Sequence, residues 1–293
     1  MGKIAVVTDT NSSIDIDEAE GLGLYVVPMP VQIGGKEYFE GVDCTYEHFF
    51  ELLAAGNEVS TSQPSPYSVT SVWDKALEDH DEVIYLPMMK ALSSSMATAK
   101  MLAADYGGKV HVVDNNRISI LQRLAALEAV RMAEKGLKAE DIVRRLEENG
   151  NKHSIYLAVN TLELLKKSGR VTAAGAAVAT ILDIKPVLQI QGGKLDAFSK
   201  ARGMASAEKV MLKALEKDLN ERFADDRENM QIETCYTGDR DEALKWLDTV
   251  QTYFDDMTVE LYKLPMSISC HVGAGVKALG CMRRIPESEM VPY

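Results

Sequence analysis

Residues 3–13 read KIAVVTDTNSS: a short β-branched run that passes directly into a cluster of Thr, Asp, Asn and Ser. An apolar strand that ends in polar loop residues is how a buried parallel strand delivers side chains to the edge of its sheet. Working outward, residues 82–88 and 109–114 repeat the buried-strand signal. Helical patterns over 46–55, 66–79 and 95–105 lie around them. Ser65 followed by Pro66 fits an N-cap with proline at the first helical position. Residues 25–33 read as another strand, ended by the hairpin-type pair Gly34-Gly35. Ile120, Leu124, Leu127 and Val130 recur at helical spacing. Strands alternating with helices predict an α/β fold with a mostly parallel sheet flanked by helices.

The polar turn Asn149-Gly150-Asn151 marks the expected boundary, giving domains 1–150 and 151–293. Beyond it, strands are expected over 154–159, 185–191, 194–198, 231–236 and 258–263, with Gly192-Gly193 as a tight hairpin. Helices are expected over 162–168, 173–181, 204–222 and 241–253. A hairpin followed by helix–strand units predicts a mixed sheet with helices.

The chain of 293 residues carries 32 basic and 44 acidic side chains, net charge −12. That field repels a polyanion, and nucleic acid is not an expected partner. No basic n-region with an apolar stretch follows Met1, and the longest weakly polar stretch, 173–182, is too short to span a bilayer. A cytoplasmic protein without stable membrane insertion is expected. Cys44, Cys235, Cys270 and Cys281 form no C-x-x-C pair, and the five histidines are scattered, so no metal site is expected.

Four polar clusters remain as candidate chemistry. Turn formation and capping account for most of residues 8–13, leaving Asp9 as a candidate organiser of a site at the strand end. In residues 60–65, Ser65 is explained as a cap, whereas Thr61 lies too far upstream to cap a helix that starts at Pro66. Ser93, Ser94 and Ser95 precede the next helix, where hydroxyls and free N–H groups suit a carboxylate or phosphate. Residues 166–172, KKSGRVT, put Arg170 after a basic helix end with Gly169 as its C-cap. Lys200, Arg202 and the turn His271-Val272-Gly273-Ala274-Gly275 follow.

In this order (TDTNSS, TSQPS, LSSS, LLKKSGRV, IKPVL with GGKL, an arginine after the hairpin, HVGAG) the segments resemble the DegV family across nearly the whole chain. The resemblance implies two α/β domains with one long-chain fatty acid buried between them. It also implies that Thr61 and Ser93 hold its carboxyl group and that Ser94, Ser95, Arg170 and His271 are secondary head-group contacts. Arg202 then serves a docking partner. Members of the fatty-acid-kinase type hand the acid to a separate kinase, so a kinase subunit is a candidate partner and no further cofactor is expected. The sequence departs from the family pattern at Ser94 (usually Gly), Ser95 (usually Thr), Ala274 (usually Pro) and Met88-Met89-Lys90 (usually Ser-containing).

The chemistry required fits these residues. The acyl tail gains about 0.8 kcal/mol per buried CH₂, and its carboxyl needs placed partners because unpaired buried polar groups cost several kcal/mol. Residues 173–188 and the Met-containing segments are candidates for the tail's wall. Two other readings stand beside binding: a hydrolase built on Ser93, His271 and Asp9, and a phosphotransfer component using His271. No G-x-S-x-G elbow accompanies Ser93. The expectation is therefore a lipid-binding protein rather than a catalyst.

Overall fold

The computed structural model describes residues 2–177 and 183–291. Two compact units divide the chain. One is Met1–Asn151 with Pro265–Ser267 and Ile285–Tyr293; the other is Lys152–Leu264 with Ile268–Arg284.

In the first unit the strands are β1 (Ile4–Asp9), β2 (Leu24–Val27), β3 (Pro30–Ile33), β4 (Lys36–Phe39), β5 (Val59–Thr61), β6 (Glu82–Leu86) and β7 (Val110–Val112). Its helices are α1 (Ile16–Ala19), α2 (Tyr46–Ala54), α3 (Pro66–Leu77), α4 (Ser95–Ala103), α5 (Ile120–Glu134) and α6 (Ala139–Asn149). The main sheet is parallel throughout, in the order β2-β1-β6-β7. Alternation along its strands feeds two cores. Ala5, Val7, Val83 and Tyr85 pack with Val69, Trp73 and Ala99 of α3 and α4. Val6, Ile84 and Leu86 pack with Ala125, Ala129 and Met132 of α5 and Ile142 and Leu146 of α6. Burial on both faces is why these strands read as continuous apolar runs.

The expected strand over 25–33 is two strands in two sheets. β2 pairs with β1, whereas β3 pairs antiparallel with β4 and β5 in a separate three-stranded sheet. Pro28 separates them, and its missing N–H ends the ladder there. Thr61, expected in a loop, is the last residue of β5, opposite Val31.

The second unit holds β8 (His153–Ala158), β9 (Ile184–Ile190), β10 (Asp196–Arg202), β11 (Met230–Tyr236), β12 (Val259–Lys263) and β13 (Lys277–Arg283). They form one sheet in the order β10-β9-β8-β13-β11-β12, antiparallel except for the β11–β12 pair. α7 (Glu163–Ser168), α8 (Ala173–Ala176), α9 (Met204–Glu221) and α10 (Arg240–Tyr253) accompany it, and α11 (Met266–Val272) begins on the two residues Met266 and Ser267 counted with the first unit. Met211, Leu215 and Leu219 of α9 and Trp246 and Val250 of α10 pack with Tyr156, Val187, Ile232 and Leu279 of the sheet.

β13 does not read as a strand in the sequence because Gly280 interrupts it. A Cβ there would lie 3.0 Å from the Ser154 carbonyl oxygen, a tight contact, so the close approach of β8 favours glycine. β10 starts at Asp196 rather than 194, after a longer turn than the expected tight hairpin, and its register shifts between Ala197 and Ser199. Of the helix expected over 173–181, Ala173–Ala176 is helical and 178–182 lie outside the described residues.

The expected continuous domain 151–293 differs from the observed division because the tail returns to the first unit. Glu128, fully buried, accepts from the Ile285 amide at 2.8 Å and faces Arg117 at 3.7 Å. Ile285 and Met290 join the first unit's core, and Arg145 donates to the Val291 carbonyl at 3.0 Å. Removing one member of a buried pair leaves an uncompensated charge, at a cost of about 3–5 kcal/mol. Glu128→Ala is therefore expected to lower the unfolding free energy by about that amount in urea. Lys135→Ala, which removes the exposed partner of Glu287, should leave the stability nearly unchanged. Equal effects from the two variants would refute this account of what ties the tail down.

Candidate functional site

Strand order reverses at β1, whose successor β2 lies on one side and whose other neighbour β6 lies on the other. The loops leaving the carboxyl ends of β1 and β6 therefore diverge from adjacent strands, the place where open α/β sheets gather ligands. Both loops carry polar clusters singled out in the sequence, residues 8–13 and 92–95.

Asp9 joins them. It is fully buried; one carboxylate oxygen accepts from the Met88 amide at 3.0 Å and the other from Gln122 Nε2 at 3.0 Å. Burial pushes its carboxyl up to about 6, against the pull of these hydrogen bonds. The neighbouring residue reaches a second buried carboxylate: Thr10 Oγ1 accepts from the Met29 amide at 3.1 Å and donates to Glu40 at 2.8 Å. Glu40 also accepts from the Met266 amide. Burial raises Glu40 to about 7, opposed by its hydrogen bonds.

The Ser93 loop is pinned along its length. Met89 N donates to the Arg117 carbonyl at 3.2 Å, Lys90 Nζ lies 2.6 Å from Asp114, and Leu92 N closes a turn on Met89. Ser93 Oγ accepts from the Ser95 amide at 3.1 Å and lies 2.8 Å from Ser95 Oγ. Ser93 thus does the capping work at the start of α4, while Ser94, at the N-cap position, makes no side-chain cap bond and is exposed. Ser94 keeps a right-handed backbone (φ −80°), so the loop does not use the freedom of the family's glycine.

Thr61 is half-buried. Ser65 caps α3 as expected, accepting from Ser68 N at 3.1 Å. Two residues beyond Thr61, Gln63 accepts from Thr98 of α4 at 3.1 Å. This bond ties the TSQPS segment to the helix that Ser93 opens.

In the second unit Gly169 (φ 70°) is the C-cap of α7, and Arg170 Nη1 donates to the Ser168 carbonyl. His271 lies in the last turn of α11, not in the glycine turn. Its imidazole is pushed down to about 4 by burial and by the charge of Arg170, so it is neutral at pH 7. The turn after it is held by Thr237, whose hydroxyl donates to the Gly273 carbonyl at 2.7 Å, and by Asn160, which donates to the Ala274 carbonyl at 3.0 Å. Gly275 (φ 73°) admits Asn160: a Cβ there would lie 2.3 Å from Asn160 Nδ2. Arg202 is exposed at the end of β10.

Sequence reading misses Gln122 and Glu40. Neither leaves a signal: Gln122 stands in a helix that also carries Arg123, Glu128, Arg131 and Glu134, and Glu40 in a polar turn. All four cysteines are buried, and none of them is in a disulfide. Among the described residues no group of three or more His, Cys, Asp or Glu side chains is placed to hold a metal, and no helix is long and apolar enough to cross a membrane.

The arrangement defines an α/β protein with hydroxyl-rich loops at the switch point of a parallel sheet and a separate six-stranded mixed sheet. The chain belongs to the DegV family: the model described as "Uncharacterised protein, DegV family" matches residues 3–284. A DegV domain-containing protein of Deinococcus radiodurans is 34% identical over 205 residues, 70% of this chain and 73% of its own. Among solved structures, a DegV family protein from Thermus thermophilus described by its fatty acid binding superposes with a TM-score of 0.85 at 29% identity, covering 96% of this chain and 99% of that one. A stearic-acid-binding protein from Eubacterium ventriosum shares the fold, with a TM-score of 0.85 at 24% identity over 97% of this chain and 99% of its own.

The buried carboxyls make stability depend on pH. Because Glu40 is raised from 4.5 to about 7, the folded state holds its proton more tightly than the unfolded chain does. Its contribution is complete below about pH 4.5 and is lost as pH rises through about 7. Glu40→Gln removes that loss. The stability difference, variant minus wild type, should grow between pH 4.5 and 7 by about 1.4 kcal/mol for each pH unit crossed. Urea titrations across this range measure it; a pH-independent difference would show that Glu40 is not raised.

Proposed function

We propose that this protein binds a single long-chain fatty acid of the palmitate, stearate or oleate class without catalysing its conversion, and that Thr61 and Ser93 hold the carboxyl group. The observation that carries the reading is the Gln63–Thr98 hydrogen bond, which ties the segment bearing Thr61 to the helix opened by Ser93. The Thermus thermophilus relative, described by its fatty acid binding at 29% identity, supports the same ligand class.

Hydroxyls suit the head group because each both donates and accepts, and so pairs with either the acid or its carboxylate. The start of α4 beside Ser93 is a helix N-terminus, whose N–H groups favour a negative charge. Ser94 and Ser95 are proposed as secondary contacts. Arg170, His271 and Arg202, in the second unit, are proposed as groups for the head group or for a kinase that takes up the carboxyl. A cytoplasmic location accompanies this reading. The hydrolase alternative gains no support: Ser93 is paired with Ser95, and both oxygens of Asp9 are engaged by Met88 and Gln122.

Native mass spectrometry of the purified chain, followed by lipid extraction, tests the proposal. Wild type should copurify with one C16–C18 acid, and Thr61→Ala/Ser93→Ala should lose it. A wild-type chain that is lipid-free and refuses added palmitate and oleate would overturn the reading.

A further inference from the structure

We infer that Gln122 is a positioning residue for the carboxyl site, acting through Asp9 on the loop that carries Ser93; this rests on the role proposed above for Thr61 and Ser93. Gln122 is fully buried in the first turn of α5. Its Nε2 lies 3.0 Å from each of three acceptors: Thr8 Oγ1, Asp9 Oδ1 and the Leu86 carbonyl. These belong to the last residues of β1 and β6, the two strands from which the polar loops depart. The Thr8 hydroxyl donates to the Leu86 carbonyl at 2.9 Å, so that carbonyl already has a donor. The amide has only two hydrogens, and the ionised carboxylate is the strongest acceptor among the three.

With Oδ1 engaged by Gln122, Oδ2 faces the Met88 amide. The carboxylate cannot rotate without losing both bonds. Met88 is the second residue after β6, and the path from it to Ser93 is a short pinned loop through Met89, Lys90 and Leu92. The pins on Arg117 and Asp114 hold the body of that loop, whereas the bond to Asp9 sets its departure from the sheet. A binding hydroxyl needs its supporting contacts fixed to within about half an ångström. The relay Gln122–Asp9–Met88 supplies that fixing from a helix rather than from another loop.

The test compares palmitate with methyl palmitate on the delipidated full chain, each displacing a fluorescent fatty acid. The ester keeps the tail but lacks the acid's charge and proton. Gln122→Met keeps the side chain's length and bulk and removes its donors. It should weaken palmitate about tenfold, as for a lost hydrogen bond to a charged group, and leave methyl palmitate unchanged. Asp9→Asn should lower the same acid-to-ester ratio, and adding Gln122→Met to it should cost less than about a further twofold. Equal weakening of acid and ester would mean a general core defect and would overturn the inference, as would full additivity of the two substitutions. Should Gln122→Met fail to fold by circular dichroism, Asp9→Asn decides: an unchanged ratio overturns the relay. Thr61→Ala/Ser93→Ala separates the levels. If it keeps the wild-type ratio, the carboxyl assignment itself fails. If it collapses the ratio while Gln122→Met does not, only the relay fails.

Discussion

A carboxylate withdrawn from water at the end of the central strand constrains everything around it. Asp9 has no exposed surface. An isolated ionised carboxylate in such a place would cost tens of kcal/mol, so it must be met by donors or give up its charge. The donors include the first backbone N–H after β6, beyond Pro87, and a glutamine presented by α5. For Gln122 to arrive there, α5 must begin close to the sheet edge. Ser119, immediately before it, takes φ 55° and ψ −137°, a conformation costing about 1–3 kcal/mol for a non-glycine residue. Its hydroxyl lies 3.0 Å from that of Ser13, in the loop that follows β1. Strain at the helix entry and satisfaction of the carboxylate are thus two ends of one arrangement, and the loop between β6 and α4 is placed by it.

A second buried carboxylate governs how distant chain is drawn into the same unit. Glu40 directly follows β4 and accepts from Thr10 and from the amide of Met266, more than two hundred residues on. Glu128 does the same for the tail by accepting from Ile285. Each acidic side chain is satisfied by a backbone N–H that arrives from far along the sequence. Buried charges are poor net stabilisers but costly to leave unpaired. They therefore act here less as sources of stability than as specifiers of which segment must return, and they explain why the first unit is assembled from three pieces of chain.

Legibility in the sequence follows the range of the interactions. The strands β1 and β6 announce themselves because burial on both faces leaves apolar runs. The Ser65–Pro66 helix start is local chemistry within four residues, and it is readable for that reason. Thr61 and Ser93 stand out because capping does not account for all the hydroxyls, although β5, the strand that carries Thr61, is too short to show a period. The break at Pro28 is present in the sequence but outweighed by the β-branched residues on either side. Gly280 hides β13, since the preference for glycine there comes from Ser154 on a neighbouring strand. Gln122, Glu40 and Glu128 are illegible because nothing local distinguishes a buried polar residue from a solvated one. The hydrogen bonds that single them out reach partners between 30 and 226 residues away.

The choice of uncharged residues around the proposed carboxyl site has its own physical logic. Asp9 and Glu40 already place two dehydrated acids in the first unit, and the whole chain is acidic, with a net charge of −12. An arginine in that unit at the head group would commit the ligand to its carboxylate form and would compete for the buried acids. Hydroxyls make no such commitment. In the proposed site, Thr61 and Ser93 would pair with a neutral acid by accepting its proton and with a carboxylate by donating theirs. A carrier built on such hydroxyls holds its ligand mainly through the tail, at about 0.8 kcal/mol per methylene, and uses the head-group contacts for orientation. Orientation is the property that the pinned loop and the Gln63–Thr98 bond secure, and it is what a protein that presents a carboxyl to another would need most.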